Sequence, residues 1–566
     1  MASTGDLISR VYGGFRGVDF RGEEINLVRS PDSLNVWKDY KETESIRTRP
    51  GMALMHSFAD PIYGIFFYQV GDTEVCFVHS GTNLYVIKNG SKMLILSMLN
   101  EHESNGFVYN NMWYFKDGAN YWSIDLKGSG YTVTRVNGYV PTTSIARKPA
   151  GGGTLHEDVN LLTGERINTF LADGTSKDFY LDAQNIDTGY APIVKVNGEV
   201  KDNYTVDYAA GKIAFKAAPV APLTDGQDNV SVQFRKTIAG YADRINKCTL
   251  LQLFDNRVFF SGNPDFPNVI WHSSLDDPTY CSDLDYYTEG LDSAPIKSLV
   301  AGNNALWVFR EPSQTNTSVF YHTPTIDAEY GKIYPNTHSS ISTGCIGKAI
   351  NFNDDIVFFS DRGMEGVSGD VTTEQAIQHR STLVDRKMIA EKDYQNMILA
   401  EWEGYLVVII GDKAYLADSR AMFTNENHVE YEWFYWNLEK KITCAKVYNG
   451  VLYLGTEDGV YSLTDETCDI ESYWVTPKDK FNAPQKLKTT NKRGCVAEAT
   501  GDISLYAKLE GTDFELIGTY EGVEDYFVSR IKRKKWKDIQ LKFYSDTRFS
   551  LETATLECFI GGYIKR

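Results

Sequence analysis

Residues Phe254-Asp255-Asn256-Arg257-Val258-Phe259-Phe260 run from two turn-forming residues directly into a strand of apolar and aromatic residues. The same phrase recurs at Asn111, Asn304, Asp355, Gly404 and Gly450. From Asn256 to Gly450 the successive steps are 48, 51, 49 and 46 residues. A period near fifty residues, built of strands and turns, is typical of the blades of a β-propeller.

The turn residues of this phrase suit the left-handed backbone that two-residue hairpins require, which Asn, Asp and Gly tolerate best. The apolar run that follows suits a strand buried on both faces. A single blade cannot bury both faces of its sheet, whereas a ring of blades can. We therefore predict an all-β fold with a propeller of roughly seven blades. The blades are expected to be anchored at the positions above and at Gly64.

The spacing also predicts an insertion, because the gap between Asn111 and Asn256 exceeds one period by about 95 residues. Alternating residues lead there into the Asn197-Gly198 hairpin signal. We expect this insertion to fold by itself, with its ends close in space. The predicted segments are an N-terminal extended arm able to donate a closing strand (1–57), blades one and two (58–143), an inserted small β-sandwich (144–238), blades three to seven (239–486) and a C-terminal β-sandwich (487–566).

Charge and cysteine usage limit the class of protein. The 566 residues include 57 basic and 75 acidic ones, a net charge of −18, which does not suit a surface that neutralises nucleic-acid phosphates. The eight cysteines occur singly, which indicates buried thiols rather than zinc ligands. The start lacks the pattern of a secretory signal. The longest strongly apolar run, 405–410, is too short to span a membrane.

The sequence contains no phosphate-binding glycine loop, no zinc-protease helix motif and no serine-hydrolase elbow. Phe309-Arg310-Glu311-Pro312 resembles the arginine motif of propeller sialidases, but their repeated Asp boxes appear only as the fragment Thr456-Glu457-Asp458-Gly459. His272 precedes two serines in a predicted loop. We predict no catalytic, cofactor-binding or metal-binding residues, and no enzymatic activity. The basic run 530–535 is interpreted as a strand edge protected by charge, or as a protein contact.

Two N-terminal phrases, Ser30-Pro31-Asp32-Ser33-Leu34-Asn35-Val36 and Arg47-Thr48-Arg49-Pro50-Gly51, resemble the opening of tail hub, nozzle or stabilisation proteins of tailed bacteriophages. The insertion resembles small β-sandwiches of phage tail components, and the ending with Gly561-Gly562-Tyr563 is similar to the close of such proteins. The resemblance implies a structural virion protein of the tail. It implies a homo-oligomeric ring, a hexamer, that continues the DNA-ejection channel below the portal and adaptor.

The same resemblance implies contacts with the adaptor, the portal and a tail fibre or tip, and assembly in the host cytoplasm. DNA would pass transiently and without sequence-specific contacts. Two other functions remain open from the residues alone: a β-propeller binding module, such as a lectin or scaffold, and a propeller glycosidase with two facing carboxylates. The acidic surplus suits a DNA channel, because carboxylates repel phosphates, but it also suits a surface that is acidic for solubility.

Overall fold

The computed structural model describes residues 5–22, 25–41, 45–70, 73–127, 130–313, 317–328, 331–339, 341–368, 376–425, 428–466, 469–531 and 535–564. The chain divides into two compact units. The first unit comprises Met1–Gly81, Tyr85–Met93 and Thr343–Arg566. The second unit comprises Thr82–Leu84 and Leu94–Ser342. Each unit is described by itself.

The strands before the insertion are short to medium in length. They are β1 (Asp6–Gly13), β2 (Ser33–Leu34), β3 (Val36–Lys38), β4 (Ile46–Thr48), β5 (Gly51–Ser57), β6 (Ile62–Val70), β7 (Thr73–Ser80), β8 (Asn83–Lys88), β9 (Ser91–Ser97), β10 (Asn105–Tyr109), β11 (Met112–Lys116), β12 (Tyr121–Asp125) and β13 (Val133–Arg135).

The insertion adds nine strands, and one helical turn follows it. These elements are β14 (Thr142–Arg147), β15 (Thr154–Leu155), β16 (Glu165–Phe170), β17 (Asp178–Tyr180), β18 (Ile193–Val196), β19 (Glu199–Lys201), β20 (Tyr204–Asp207), β21 (Lys212–Phe215), β22 (Val230–Arg235) and α1 (Tyr241–Asn246).

Strands dominate the next part of the chain as well. The elements are β23 (Leu250–Phe254), β24 (Arg257–Ser261), β25 (Val269–His272), β26 (Tyr286–Thr288), β27 (Ile296–Gly302), β28 (Ala305–Arg310), β29 (Val319–His322), β30 (Thr325–Asp327), β31 (Gly331–Ile333), β32 (Asn336–His338), β33 (Ala349–Phe352), β34 (Asp355–Ser360), β35 (Gly363–Val367), β36 (Ile377–His379), α2 (Asp385–Met388) and a 3-10 turn at Tyr394–Asn396.

The last part contains the longest strands of the chain. They are β37 (Ile398–Trp402), β38 (Tyr405–Ile410), β39 (Lys413–Asn425), β40 (His428–Asn437), β41 (Ile442–Tyr448), β42 (Val451–Thr456), β43 (Gly459–Thr464), β44 (Ser472–Val475), β45 (Lys486–Leu509), β46 (Glu515–Val523), β47 (Tyr526–Ser529), β48 (Lys535–Trp536), β49 (Ile539–Ser545) and β50 (Phe549–Tyr563).

The fold is all-β and propeller-like, which confirms the predicted fold class. Within the described residues, seven antiparallel sheets of four strands are present, the strand number of a propeller blade. They are β6–β9, β10–β13, β23–β26, β27-β28-β29-β32, β33–β36, β37–β40 and β41-β42-β43-β5.

The repeated sequence phrase is a hairpin turn between the first two strands of a sheet. At Asp255-Asn256 both central residues have positive φ, 50° and 57°, and at Asn449-Gly450 the values are 49° and 78°. The turns at 110–111, 303–304, 353–354 and 403–404 share this property. Two successive residues at positive φ match the right-handed twist of the flanking strands, which explains why Asn, Asp and Gly recur there.

Two anchors are placed differently from the prediction. Gly64 lies inside β6 at an irregularity of its pairing with β7, so it is not a hairpin turn. The residues that connect β6 to β7, 71–72, lie outside the described residues. Asp355 begins β34, and the turn before it consists of Asn353 and Asp354. Gly64 was chosen as an anchor because the aromatic run that follows it has the same composition as the runs that follow the hairpin turns of the other sheets.

The sheet of β41, β42 and β43 takes its fourth strand from the other end of the chain. Strand β5 pairs antiparallel with β43, from Gly51 opposite Thr464 to Ser57 opposite Gly459. The predicted arm at 1–57 therefore contributes a blade strand at its C-terminal end. Such a pairing ties the start of the chain to residues more than 400 positions later.

The C-terminal region forms one eleven-stranded sheet, where the sequence had predicted a separate sandwich from 487 onward. Its path is β2-β44-β49-β45-β50-β4-β3, with β1, β46, β47 and β48 attached to β45 or β50. Strand β44 belongs to this sheet, so the expected boundary at 486 lies too late. The four N-terminal strands in it were predicted as an extended arm. Alternating residues predict a buried face for each strand but do not identify its partner.

The inserted segment is a small β-sandwich, as predicted. One sheet has the order β15-β14-β16-β22-β18-β19 and the other β17-β21-β20. Their shared core is apolar and includes Phe170, Phe179, Ile213, Val232 and Phe234, all buried. Residues 158–162 leave the sandwich and pack against strands β24 and β25. There Leu161 is buried in a core with Phe260 and Trp271.

We predict that the insertion can be removed if residues 157–164 are kept. The excursion 143–156 is closed by a hydrogen bond from Glu157 N to Thr142 O at 3.0 Å, and the excursion 165–236 by one from Lys236 N to Gly164 O at 2.8 Å. Replacing each excursion by a Gly-Gly link is expected to leave a folded protein with an unchanged tryptophan fluorescence spectrum, because neither excursion contains a tryptophan.

Deletion of 150–236 is the matched control and removes Asn160. The Asn160 amide donates to the carbonyl oxygens of Tyr139 (2.8 Å) and Thr279 (2.9 Å) and accepts from Cys281 N (3.1 Å). Because two part-buried carbonyl groups lose their donors and the buried Asn160 and Leu161 side chains are removed, this deletion is expected to destabilise by about 3 kcal/mol or more. Equal stability of the two deletion proteins would contradict this account of residues 158–162.

Other sequence predictions concern thiols and basic residues. No disulfide joins the cysteines of the described residues, which are Cys76, Cys248, Cys281, Cys345, Cys444, Cys495 and Cys558. Cys468 lies outside the described residues. Lys532 to Lys534 of the basic run also lie outside them. None of the helices in the described ranges has the length and apolar character needed to cross a membrane.

Candidate functional site

Arg310, the residue of the sialidase-like motif, is fully buried in the second unit. Its guanidinium donates to the carbonyl oxygens of Ala294 (3.2 Å), Asp292 (3.1 Å) and Thr317 (3.4 Å), and to the Asp292 carboxylate. Hydrogen bonds from Ser313 and Arg310 hold the pKa of Asp292 at about 2. The guanidinium thus ties the loop around Asp292 to β28 and is not presented to a substrate.

We expect Arg310→Ala to destabilise the protein by about 3–5 kcal/mol, because the substitution removes a fully buried side chain that pairs with Asp292 and leaves part-buried carbonyl groups without donors. Chemical denaturation followed by circular dichroism measures the effect. Arg493→Ala is the control, because Arg493 is exposed on β45, and it is expected to change stability by less than about 0.5 kcal/mol. A stable Arg310→Ala protein that had lost a hydrolytic activity would instead indicate a catalytic arginine.

His272 is also buried, with 4% of its surface exposed. Its Nδ1 lies 3.0 Å from the carbonyl oxygen of Ser273, and its ring stacks with Tyr287 at a centroid distance of 5.8 Å. Burial lowers the pKa of His272 to about 4, so the imidazole is neutral at pH 7. The residue was predicted to lie in a loop, and it is in fact the last residue of β25.

The fragment Thr456-Glu457-Asp458-Gly459 forms the turn between β42 and β43. The Thr456 hydroxyl donates to the Asp458 carboxylate (2.7 Å) and accepts from the backbone N–H of Gly459 (3.1 Å). These contacts are local and stabilise the turn itself. Neither this fragment nor Arg310 therefore forms part of an open sialidase-type site.

The two N-terminal phrases meet in space. Asn35 lies at φ 56° and is buried, and its Oδ1 accepts from Arg49 Nε (3.0 Å) and from the backbone N–H of Asn437 (2.7 Å). Its amide nitrogen donates to the Glu471 carbonyl at 2.8 Å. Arg49 also donates to the carbonyl oxygens of Pro50 and Asn437, both at 2.8 Å. We call Asn35, Arg49 and these partners the arm junction.

The arm junction connects three parts of the first unit: the N-terminal segment, strand β40 and the segment before β44. Burial lowers the pKa of Arg49 to about 10, so the guanidinium stays charged at pH 7. The guanidinium donates to the amide oxygen of Asn35 and to the carbonyl oxygens of Pro50 and Asn437. The sequence phrases suggested a family but did not suggest that Asn35 and Arg49 contact each other.

A charged cluster around His379 has no signal in the sequence. The imidazole Nε2 lies 2.5 Å from the Asp385 carboxylate and Nδ1 lies 3.2 Å from the Glu365 carboxylate. Burial alone would lower the pKa of His379, but the hydrogen bonds to Asp385 and Glu365 raise it to about 10. The Ser381 hydroxyl donates to Asp385 at 2.5 Å and is itself fully buried, so it is not placed as a nucleophile.

A cavity of about 270 Å³ lies in the second unit between β10 and the β23–β24 hairpin. Phe107, Val258 and Pro278 form apolar parts of its lining, and Asp276 and Asp277 lie at its edge. The cavity approaches the size at which small ligands bind. Among the described residues, no group of three or more His, Cys, Asp or Glu side chains is arranged to hold a metal ion.

Comparison with known proteins gives fold-level similarity at most. No protein-family model matches the chain, and no curated protein matches its sequence. Among solved structures, BamB from Moraxella catarrhalis is similar at 11% identity and a TM-score of 0.33, covering 73% of this chain and 97% of BamB. Kluyveromyces lactis Hsv2 gives 11% identity and a TM-score of 0.26, covering 66% of this chain and 98% of Hsv2.

An exo-beta-1,3-galactanase from Phanerochaete chrysosporium gives 8% identity and a TM-score of 0.21, covering 93% of this chain and 100% of the enzyme. All three TM-scores are too low to carry an argument about function. The fold class therefore rests on the strand pairing of this chain itself. The choice between a structural, a binding and a hydrolytic role depends on the residues described above.

Proposed function

We propose that this protein is a structural subunit of the tail of a tailed bacteriophage, a hub or nozzle protein. In this proposal the subunits form a ring, a hexamer by the family resemblance, that continues the DNA-ejection channel below the portal and adaptor. The partners would be the adaptor, the portal and a tail fibre or tip. The protein would be assembled in the host cytoplasm and reside in the virion.

The observation that carries the proposal is the arm junction. The resemblance rests on two short phrases, and each could occur by chance. Asn35 of the first phrase and Arg49 of the second are hydrogen-bonded and jointly fix the N-terminal segment. A shared structural role gives a physical reason for the two phrases to occur together, which supports a common architecture with the proteins they resemble.

The candidate catalytic residues add support of a second kind. Arg310 and His272 are both buried. Arg310 donates a hydrogen bond to the loop around Asp292, and the His272 ring stacks with Tyr287, so both contacts favour a structural role. The net charge of −18 favours a channel along which DNA slides without binding, because like charges repel. The repulsion extends over a Debye length of about 8 Å at physiological salt, so only carboxylates that line the channel would matter.

The proposal is tested first by assembly. The chain has a mass of 63.8 kDa, and light scattering after size exclusion is expected to give a closed ring of several such masses when the cognate adaptor is present. A monomer at every concentration, with and without adaptor, would contradict the ring. Portal and adaptor genes next to the gene for this chain would provide independent support.

A binding module of lectin or scaffold type is the second candidate, and the 270 Å³ cavity favours it. Binding to a glycan panel that is lost when Phe107 is replaced by Ala, together with a monomeric state, would favour this function over the tail subunit. Turnover of any glycan in the panel would instead support a glycosidase.

The tail function also predicts that lysine substitutions at carboxylates lining the channel slow DNA ejection at low salt.

A further inference from the structure

A cavity of about 530 Å³ lies within the first unit, where β5 joins the sheet of β41 to β43. This volume is within the range of sites that hold small ligands or a long side chain. No residue singled out in the sequence accounts for it. The lining residues that matter here are His56, Phe67, Glu74, Ile87, Tyr453 and Val460.

Aromatic rings form one side of this cavity. The ring of Phe67 stacks on Tyr448 at a centroid distance of 4.7 Å and an angle of 8°, and it packs against Tyr453 at 4.5 Å. Aromatic faces carry partial negative charge and attract cations that lie within about 6 Å of the ring centre. The rings therefore offer a surface that favours a cationic group over a neutral one.

A carboxylate lies beside the same rings. Burial raises the pKa of the Tyr448 phenol, and the charge of Glu74 and a hydrogen bond to it raise the pKa further, which places Glu74 next to Tyr448. Glu74 is exposed, and it forms no ion pair with any Lys or Arg in the described parts of the chain. The carboxylate is thus available to a cation from outside.

The other polar groups of the lining do not supply that cation. Burial and the charge of Lys92 lower the pKa of His56, so its imidazole is neutral at pH 7. Burial raises the pKa of the Cys76 thiol to about 12, so it is neutral as well. Lys92 lies outside the lining, where it donates to the Ser57 carbonyl at 2.8 Å and lies 4.2 Å from the Phe58 ring centre.

We propose that this cavity binds an organic cation carried on an aliphatic stem, of the kind found in an arginine side chain. The cation would lie against Phe67 and Tyr453 beside the Glu74 carboxylate. The stem would contact Ile87 and Val460. The occupant is either the side chain of a partner polypeptide or a free small cation, since both present the same chemistry. The inference does not depend on the tail function.

Calorimetric titration with two probes tests the inference: butylguanidinium, and the capped tripeptide acetyl-Gly-Arg-Gly-amide. Each is expected to bind with a Kd of about 1 mM, as suits so small a ligand. The peptide with norleucine in place of arginine is the neutral control, and it is expected to bind at least about tenfold more weakly. Tighter binding of the arginine peptide than of butylguanidinium assigns the site to a polypeptide, and the reverse assigns it to a free cation.

Two variants complete the test. Glu74→Gln changes only an exposed side chain and is expected to weaken cation binding about fivefold or more. Glu457→Gln removes another exposed carboxylate, in the β42–β43 turn, and is expected to leave binding unchanged. The inference is overturned if the norleucine peptide binds as tightly as the arginine peptide, if Glu74→Gln has no effect, or if neither cation binds at about 20 mM.

Discussion

Replacing Asn35 by Ala is expected to lower the free energy of unfolding of the first unit by about 4 kcal/mol. The substitution leaves the Glu471 carbonyl and the Asn437 N–H without their side-chain partner, and it removes one of the three acceptors of the Arg49 guanidinium. It also forces Ala into a backbone at φ 56°, which costs about 1 kcal/mol relative to Asn. Denaturant unfolding followed by tryptophan fluorescence measures the loss.

Two further variants separate the hydrogen bonds from the backbone strain. Asn35→Gly removes the side chain but tolerates positive φ, so it is expected to lose about 3 kcal/mol. Asn449→Ala creates the same strain at an exposed turn with φ 49°, and it is expected to cost only about 1 kcal/mol. Equal effects of Asn35→Ala and Asn449→Ala would show that the arm junction adds no stability beyond its backbone geometry.

The arm junction also predicts a local effect. Residues 25–41 are expected to become sensitive to trypsin in Arg49→Met, because the guanidinium no longer bonds to Asn35 and to the Asn437 carbonyl. The propeller sheets of the second unit are expected to resist cleavage equally in both proteins. Unchanged resistance of the N-terminal segment would mean that strand pairing alone holds it in place.

The second large effect is a dependence of stability on pH that originates at His379. The pKa of this imidazole is raised to about 10 in the folded protein, while an unfolded histidine titrates near 6.5. The contribution of His379 to stability is therefore complete below about pH 6.5 and is lost as the pH rises through about 10. We expect a loss of about 3 kcal/mol over this window, because the imidazolium bridges two carboxylates.

His379→Gln is expected to reverse this dependence. Without the imidazolium, the Glu365 and Asp385 carboxylates lose the cation that pairs with both of them, and the two negative charges repel each other. The variant is therefore expected to gain stability as the pH falls and one carboxylate becomes protonated. His156→Gln, which changes an exposed histidine, is the control and is expected to follow the wild-type curve. Thermal unfolding of the three proteins between pH 5 and pH 10 measures the effect. Parallel curves for wild type and His379→Gln would refute the role of this cluster.

The candidate sites show where residue patterns fail as guides to function. The phrase around Arg310 suggested a substrate-binding arginine, but the direction of a side chain on β28 depends on the sheets packed around it. The imidazole of His379 meets Glu365 and Asp385 only because β35, β36 and the start of α2 lie together. No spacing in the sequence indicates that contact, since each residue is unremarkable among its neighbours.

The sequence by itself determined the propeller-like class and the inserted sandwich, because both depend on local backbone geometry. Pairs such as Asp255-Asn256 and Asn449-Gly450 take positive φ with little strain, and a hairpin turn then fixes the strands on either side. The break in their spacing marks the insertion. Such preferences involve residues within a few positions of each other, and they can be seen without knowing the rest of the fold.

Only the tertiary structure decided how the ends of the chain are used. Strand β5 completes the sheet of β41 to β43, and β1 to β4 join the sheet of β44 to β50, across separations of more than 400 residues. An alternating pattern specifies which face of a strand is buried, but any strand with a matching face satisfies it. The partner is selected by the packing of the whole molecule, against a loop-closure cost that grows only slowly with separation.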